Sequence, residues 1–225
     1  MLGSGKMIIA IDGPSGAGKS TLSKNLAKRL GFVYIDTGAL YRTVGLKFIN
    51  KGVQLDNTAE VEKVLSSTTV DINYVNAEQR VYLDGVDVSD EIRTPEVSLM
   101  ASAVSALPEV RAFLLGMQRS IANGKNVILD GRDIGTVVFP NAEIKIYLSA
   151  SAKERAKRRY DELILKGQDV TYEQVLEDLE KRDYNDSHRA AAPLKQADDA
   201  ILIDNTDYDF EQTIEKMLAI VKEKL

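Results

Sequence analysis

The sequence predicts an α/β fold built on a parallel sheet, and three observations lead to this prediction. Short apolar runs alternate with longer segments in which apolar residues recur at helical spacing. Such alternation predicts parallel strands joined by right-handed crossovers. A glycine-rich loop lies between the first strand and the first helix, and 225 residues suffice for one α/β domain with an insertion.

The first four predicted elements follow in the order strand, helix, strand, helix. Residues 7–12 form a short apolar run that a Gly-Pro pair ends. Leucines at helical spacing predict a helix over 19–30, and Gly31 is typical of the position after a helix. Residues 32–36 predict a second strand, and the helix after it ends near Gly52.

The middle of the chain has the pattern of a small antiparallel sheet at about 65–90. Apolar and polar residues alternate over 70–74 and again over 81–83. The Asp-Gly pair at 84–85 is a strong turn signal next to such strands.

Two helices follow this sheet, one at about 95–105 and a longer one that starts at Pro108. We therefore expect residues 65–105 to be an insertion. The α/β core is then formed by residues 7–64 and 106–225.

The α/β alternation resumes after the insertion. Residues 126–130, 143–149 and 200–204 are apolar runs typical of strands, and Phe210 begins the closing helix. Ser and Glu at 151 and 154, and Thr and Gln at 171 and 174, have the capping-box spacing that opens a helix. The small polar residues of 183–192 predict a mobile loop.

Composition and charge exclude several classes of function. The chain has no cysteine, which excludes disulfides and thiolate metal sites, and its single histidine, His188, cannot form a zinc site without several carboxylates. A net charge of -5 argues against a broad nucleic-acid or membrane surface. No apolar run approaches the ~20 residues of a membrane span, and residues 1–6 lack the apolar core of a signal peptide, so we expect a cytoplasmic protein.

A phosphate-binding loop is the strongest functional signal in the sequence. Its residues match the pattern G-x-x-x-x-G-K-[ST] in full: Gly13, Pro14, Ser15, Gly16, Ala17, Gly18, Lys19 and Ser20. Glycines let the backbone curl so that N–H groups face phosphate oxygens, and the following helix adds its positive N-terminus. We expect Lys19 to reach the β- and γ-phosphates and Ser20 to hold Mg²⁺.

The loop alone does not name the reaction, because kinases, GTPases and ATPases share it. The guanine-reading pattern Asn-Lys-x-Asp is absent, since residues 50–53 lack the aspartate, and this favours a kinase of small molecules. Such a kinase brings two anionic substrates together and needs arginines around the moving phosphoryl group. The candidates, each where a strand or helix ends, are Arg42, Arg111, Arg132, Arg182 and Arg189.

Five segments spread over almost the whole chain resemble the bacterial cytidylate kinases. They are residues 11–19, 36–42, 88–94, 130–140 and 190–194, and Asp130-Gly131-Arg132-Asp133 with Ile92-Arg93-Thr94 is the specific part. The resemblance implies a P-loop kinase fold, in which a five-stranded parallel sheet has helices on both faces. It also implies an inserted region that binds the nucleoside monophosphate, and a lid at about 152–192.

The resemblance also implies roles for individual residues. Residues expected to act in catalysis are Lys19, Arg132, Asp133, Arg182 and Arg189. Residues expected at ATP, beyond the phosphate loop, are Thr21, Arg155, Arg158 and Arg159. For the monophosphate they are Arg42 and Arg132; for cytosine Thr37, Arg111, Asp133 and Arg189; for the sugar Ser102, Arg182 and Asp186; and Asp36, Tyr41 and Gly131 complete the CMP set. Planar guanidinium groups suit phosphate oxygens, and a carboxylate such as Asp133 can accept from the cytosine amine.

The sequence therefore predicts a cytoplasmic monomer that transfers a phosphoryl group from ATP to CMP or dCMP with Mg²⁺. One alternative is a kinase of another monophosphate, or of a metabolite such as shikimate. That alternative explains Lys19 and the arginines but not the pairing of Asp133 with Arg111. A second alternative is a nucleotide-binding regulatory or interaction protein without turnover, against which the intact Lys19 and Ser20 argue.

Overall fold

The computed structural model describes residues 6–76 and 78–224. The start of the chain, where the sequence lacks a signal peptide pattern, lies outside these residues except for Lys6. Contacts divide the chain into two compact units, which we call the P-loop unit (residues 1–34 and 124–225) and the middle unit (residues 35–123). The predicted insertion at 65–105 falls within the middle unit.

The described elements alternate between strands and helices at both ends of the chain. In chain order they are β1 (Ile8–Asp12), α1 (Lys19–Leu30), β2 (Val33–Asp36), α2 (Thr37–Lys51), α3 (Thr58–Ser66), β3 (Val70–Val75), β4 (Glu78–Leu83), β5 (Val86–Asp87), α4 (Pro95–Val104), α5 (Pro108–Ala122), β6 (Val127–Gly131), β7 (Ile144–Ser149), α6 (Ala152–Leu165), α7 (Tyr172–His188), β8 (Ile201–Asp204) and α8 (Phe210–Lys224). A 3₁₀ turn at Glu91–Arg93 precedes α4, and a π-helical turn at Ile134–Val138 follows β6.

A five-stranded parallel sheet has the strand order β2-β6-β1-β7-β8. The predicted α/β class and its five-stranded parallel sheet are confirmed. Strand β1 lies in the centre, so Ile9 and Ile11 are fully buried there. Because a central parallel strand is covered on both faces, it reads as a continuous apolar run and not as an alternating one.

The apolar faces of α1 and α8 bury the hydrophobic residues of this sheet. Leu22 and Leu26 of α1 share a core cluster with Ile214 and Met217 of α8. Both helices begin close to the ends of sheet strands, and Gly31 ends α1 in a left-handed conformation with φ of 69°. The carboxyl end of β1 and the N-terminus of α1 are thereby fixed on either side of the glycine-rich loop.

The described residues of the middle unit form four α-helices and a three-stranded antiparallel sheet of order β3-β4-β5. Val70 lies opposite Leu83 and Ile72 opposite Val81, as the alternation predicts. Asp84 and Gly85 form the two-residue turn between β4 and β5 with positive φ at both positions, which is the geometry a type I′ hairpin turn needs.

Two local predictions need correction. Helix α3 has no counterpart among the predicted elements, although Asn57 caps it and Val61 and Leu65 are buried one turn apart. The predicted loop at 183–192 is wrong in its first part, because α7 continues to His188. The polar residues there stay helical because the Asp186 side chain is buried and forms an ion pair with Arg132.

Within the described residues, no single helix combines the length and hydropathy of a membrane span. The pair α4 and α5, which meet at a bend of 99°, passes both criteria jointly by length and composition.

Candidate functional site

The glycine-rich loop connects β1 to α1 in the P-loop unit. Gly13 has φ of 151°, and a Cβ atom at this position would overlap the carbonyl oxygen of Leu148 in β7. Gly18 has φ of 85° at the N-terminus of α1. Both positions need glycine for conformation, and Gly13 needs it for space as well, so the loop can curl tightly after β1 and pass close to β7.

Lys19 is the buried cation of this loop. Its side chain donates from Nζ to the Pro14 carbonyl oxygen at 2.6 Å, which folds it back over the loop. Burial lowers the pKa of Lys19 well below its ordinary value, and the positive charges of Arg132 and Arg182 add to this effect. A buried ammonium group beside two guanidinium groups is stabilised by a bound anion, which is what a triphosphate supplies.

Oxygen donors suited to a hard cation lie beside the loop. The Ser20 hydroxyl donates to Asp130 Oδ2 at 2.7 Å, and the Tyr34 hydroxyl donates to Asp130 Oδ1 at 2.8 Å. No group of three or more His, Cys, Asp or Glu able to hold a metal occurs in 6–76 and 78–224. Mg²⁺ in nucleotide sites needs only one or two protein oxygens beside phosphates and water, so Ser20 and Asp130 fit this requirement.

Arginines and carboxylates form a buried cluster where β6 ends. Arg132 Nε donates to Asp186 Oδ2 at 2.8 Å, and Arg189 Nη2 lies 3.5 Å from Asp133 Oδ1. Burial alone would raise the pKa of Asp186, but the positive charges around it, Arg132 foremost, outweigh burial and lower it. Gly131 lies directly before this cluster and accepts from Arg132 Nη1 at 3.3 Å.

Asp12, at the end of β1, holds the π-helical turn that directly follows Asp133. The Asp12 carboxylate accepts from the Ile134 N–H at 2.8 Å and from the Gly135 N–H at 2.7 Å. Burial raises the pKa of Asp12 to about 6, although both N–H groups act in the opposite direction. The carboxylate thus couples the strand before the phosphate loop to the segment after Arg132.

A cleft of about 450 Å³ opens beside the phosphate loop within the P-loop unit. Its lining includes Gly16, Gly18 and Thr21 of the loop and α1, and Arg158 and Arg159 of α6. Tyr208 and Phe210 add aromatic surface to this lining. The cleft therefore offers apolar and aromatic surface next to the loop, which suits an aromatic base, and its two arginines are paired with Glu154 and Glu162.

Arg155, predicted at ATP, is almost fully buried in the base of α6. Its guanidinium group donates to the Ser15 carbonyl oxygen at 2.8 Å, and Nη1 lies 2.7 Å from Asp183 Oδ2 in α7. Nε donates to the Ala150 carbonyl oxygen at 2.8 Å. Arg155 thus contacts the backbone of the phosphate loop and is not among the residues that line the cleft.

The CMP candidates of the middle unit gather at the start of α2. Asp36 caps this helix by accepting from the Ala39 N–H at 2.9 Å, and it pairs with Arg42 at 2.7 Å. Arg42 Nε is buried without a protein partner. A donor held this way is available to an oxyanion. Arg93, which sequence reasoning did not assign, also reaches Asp36 at 3.4 Å.

Arg111 and Tyr41 are in contact within the same unit. The Arg111 guanidinium lies 5.6 Å from the centre of the Tyr41 ring, and Nη1 donates to the Ser105 carbonyl oxygen at 3.1 Å. Thr37 is buried as the first residue of α2, and Ser102 is half-buried on α4. The middle unit therefore presents cationic and hydroxyl groups on α2, α4 and α5.

The structure brings together most predicted residues of each unit and adds others that the motif did not indicate. Lys19, Arg132 and Arg182 influence one another electrostatically, and Asp133, Asp186 and Arg189 form one cluster. Sequence reasoning missed Asp12, Tyr34, Asp130 and Asn205. For Asp130 a signal existed, because it ends a buried strand directly before Arg132, a position that faces ligands in open α/β sheets.

Comparison with known proteins identifies relatives over nearly the full chain. The family model described as cytidylate kinase matches residues 9–223. A cytidylate kinase of Caldicellulosiruptor bescii is 53% identical over 215 residues, covering 96% of this chain and 95% of that protein. One from Caldanaerobacter subterraneus is 50% identical over 214 residues, covering 95% and 94%. Among solved structures, an uncharacterized protein of Eubacterium ventriosum has a TM-score of 0.52 at 14% identity, covering 97% of this chain and 99% of that one, a likeness of fold alone.

Proposed function

This chain belongs to the cytidylate kinase family, and from that premise we propose that it transfers the γ-phosphoryl group of ATP to CMP or dCMP, giving ADP and CDP or dCDP. The observation that carries the proposal is the buried Lys19 in a complete phosphate loop, on which the charges of Arg132 and Arg182 act. Such a cluster of positive charge is what phosphoryl transfer between two anions requires.

The donor side is assigned to the P-loop unit. Backbone N–H groups of the loop between Ser15 and Ser20 donate to the β- and γ-phosphates, and Lys19 neutralises their charge. Thr21, Arg158 and Arg159 line the cleft beside the loop, which we assign to the adenine and ribose. Arg155, behind the loop, supports it through the Ser15 carbonyl oxygen.

The acceptor side is assigned residue by residue from the family resemblance. Arg42 and Arg132 are assigned to the monophosphate, because their planar guanidinium groups can each bind two phosphate oxygens. Cytosine falls to Thr37, Arg111, Asp133 and Arg189, and the sugar to Ser102, Arg182 and Asp186. Asp36 and Tyr41 position Arg42 and Arg111 through the contacts described above. Gly131 allows the backbone to approach the substrate.

The reaction needs no protein nucleophile, since an oxygen of the acceptor monophosphate attacks the γ-phosphorus and ADP leaves. Lys19, Arg132 and Arg182 stabilise the charge that spreads over the transferring group. Ser20 and Asp130 would hold Mg²⁺, which when bound neutralises charge on the β- and γ-phosphate oxygens. Residues 152–192 act as a lid that excludes water, because an open site would hydrolyse ATP.

A coupled assay of ADP release over a panel of acceptors tests the proposal. We expect turnover with CMP and dCMP, weak turnover with UMP, and none with AMP, GMP or shikimate. Turnover with another acceptor in preference to CMP would favour a kinase of different specificity. ATP binding without turnover on any acceptor would favour a regulatory protein.

The proposal also includes the cellular location, the oligomeric state and the binding partners of the enzyme. We expect a cytoplasmic monomer whose partners are its two nucleotide substrates, with no nucleic acid and no membrane involved. The net charge of -5 supports this expectation, since it disfavours a broad polyanion-binding surface. Sedimentation of the purified protein with and without nucleotides measures the oligomeric state directly.

A further inference from the structure

Three carbonyl oxygens of the phosphate loop accept hydrogen bonds from side chains. The pairs are Lys19 Nζ with Pro14 O at 2.6 Å, Arg155 Nη1 with Ser15 O at 2.8 Å, and Asn205 Nδ2 with Ala17 O at 3.1 Å. A trans peptide is planar, so the N–H of the following residue points away from the carbonyl oxygen. Each of these bonds therefore also fixes the direction of one loop N–H group.

Asn205 is the member of this set to which neither the motif nor the family resemblance gave a role. It follows β8 and is 3% exposed, and its backbone N–H donates to the Ser149 carbonyl oxygen at 2.8 Å. Its side-chain oxygen accepts from Arg158 Nη1 at 3.1 Å, and its backbone oxygen accepts from Arg158 Nη2 at 2.9 Å. One amide group thus contacts both the loop backbone and an arginine of the cleft.

We propose that Asn205 is a positioning residue for triphosphate binding. By holding the Ala17 carbonyl outward, it directs the Gly18 N–H toward the phosphates, and it keeps Arg158 at the cleft edge. An amide is suited to both tasks because it carries donors and an acceptor on one planar group. Its effect on turnover rests on the proposed function, whereas its effect on phosphate binding rests only on the loop geometry.

The substitution Asn205→Asp separates the two contacts of this amide. Aspartate has nearly the same shape and still accepts from Arg158, but it places an oxygen against the Ala17 carbonyl oxygen. The peptide between Ala17 and Gly18 then loses its donor and is pushed away from its present orientation. Gly18 has no side chain to resist this rotation.

The experiment measures binding of inorganic tripolyphosphate, a probe without base or sugar, by calorimetry, together with steady-state kinetics for ATP and CMP. For Asn205→Asp we expect the tripolyphosphate Kd and the ATP KM to rise together by about 10-fold or more. The KM for CMP should stay within about 2-fold of wild type. If Asn205 served folding alone, its substitution would lower the stability of the protein without raising the KM for ATP more than the KM for CMP.

Two further variants complete the test. Asn205→Ala removes the donor without adding a repelling oxygen, and it should show the same split with a smaller rise. Thr206→Ala changes the next residue of the loop after β8, where the Thr206 hydroxyl accepts from the Ser151 N–H at 2.9 Å. This variant should leave the tripolyphosphate Kd and the ATP KM near their wild-type values.

Unchanged tripolyphosphate binding in folded Asn205→Asp, or equal losses for ATP and CMP, would overturn the proposal. So would loss of the fold in both Asn205 variants while Thr206→Ala folds. A wild-type protein that binds tripolyphosphate but does not phosphorylate CMP would instead count against the proposed function. In that case the binding measurements still decide the role of Asn205.

Discussion

In the free loop Lys19 donates to the Pro14 carbonyl oxygen, and in the proposed reaction it would donate to the triphosphate instead. Burial and the positive charge of Arg132 lower the pKa of Lys19, and a bound phosphate is expected to act in the opposite direction. We predict that Lys19→Ala lowers kcat by about 10²–10³-fold, the range for losing one stabilising donor, while the Kd for CMP changes less than about 3-fold. Lys28→Ala, exposed on the same helix, is the control. Near-normal kcat in Lys19→Ala would refute the assigned role.

Asp133 decides the choice of base in the proposed function. Cytosine presents an amine where uracil presents a carbonyl, and an ionised carboxylate can only accept. We predict that Asp133→Asn lowers the preference for CMP over UMP, measured as the ratio of kcat/KM values, by about 10-fold or more. The reason is that an amide can rotate to donate to the uracil carbonyl.

The ion pair of Asp133 with Arg189 supplies the competing explanation. If Asp133 only holds Arg189, which lies 3.5 Å away, then Asp133→Asn lowers activity on CMP and UMP by the same factor. An unchanged ratio therefore rejects the base-reading role. Asp198→Asn, at an exposed position of the loop before β8, should alter neither activity and controls for the loss of one negative charge.

Some residues of the candidate site can be located from the sequence alone, and others cannot. Lys19 and Ser20 belong to a motif whose local spacing carries the chemistry, so the sequence locates them directly. Asp12 and Asn205 act through backbone groups more than 100 residues away along the chain. No local pattern encodes such contacts, because the parallel sheet and the loop after β8 create them only on folding.

Helices, strands and turns also differ in how well local sequence signals predict them. Helix α1 and the hairpin turn at Asp84 and Gly85 were predicted because caps, spacing and turn residues are local signals. The end of α7 was misplaced because its polar residues resemble a loop, whereas Asp183 and Asp186 pair with Arg155 and Arg132. Tertiary ion pairs overrode local propensity at that position.

The helices α6 and α7 carry the next prediction, closure of the lid. They pack on each other through Ala156, Leu163 and Val175, a small cluster separate from the main core. We predict that amide hydrogen exchange over 152–192 slows when CMP and a non-hydrolysable ATP analogue bind together, by up to about 10-fold at ligand concentrations near ten times Kd. Helix α8 is the internal control. Equal exchange over 152–192 with and without ligands would count against a lid.

Global stability depends on pH partly through Asp12. Its pKa is about 6 in the folded protein against 3.8 as the ordinary value, chiefly because of burial. The folded state therefore binds a proton between these pH values that the unfolded state does not. The stability this supplies is fully present below about pH 4 and is lost as pH rises through 6. A shift of this size corresponds to about 3 kcal/mol.

The substitution Asp12→Asn tests this linkage in the whole molecule. We expect the Asp12→Asn protein to be less stable than wild type. The side-chain oxygen of asparagine can accept from one of the two backbone N–H groups, whereas its NH₂ group would face the other. Its unfolding free energy has no proton-binding contribution at this position. Urea unfolding from pH 4 to 7 should therefore show the stability advantage of wild type over Asp12→Asn shrinking by up to about 3 kcal/mol, with most of the change complete near pH 6. An advantage that stays constant across this range would mean that Asp12 keeps its ordinary pKa in the fold, and that the two N–H groups and Lys19 fully compensate its burial.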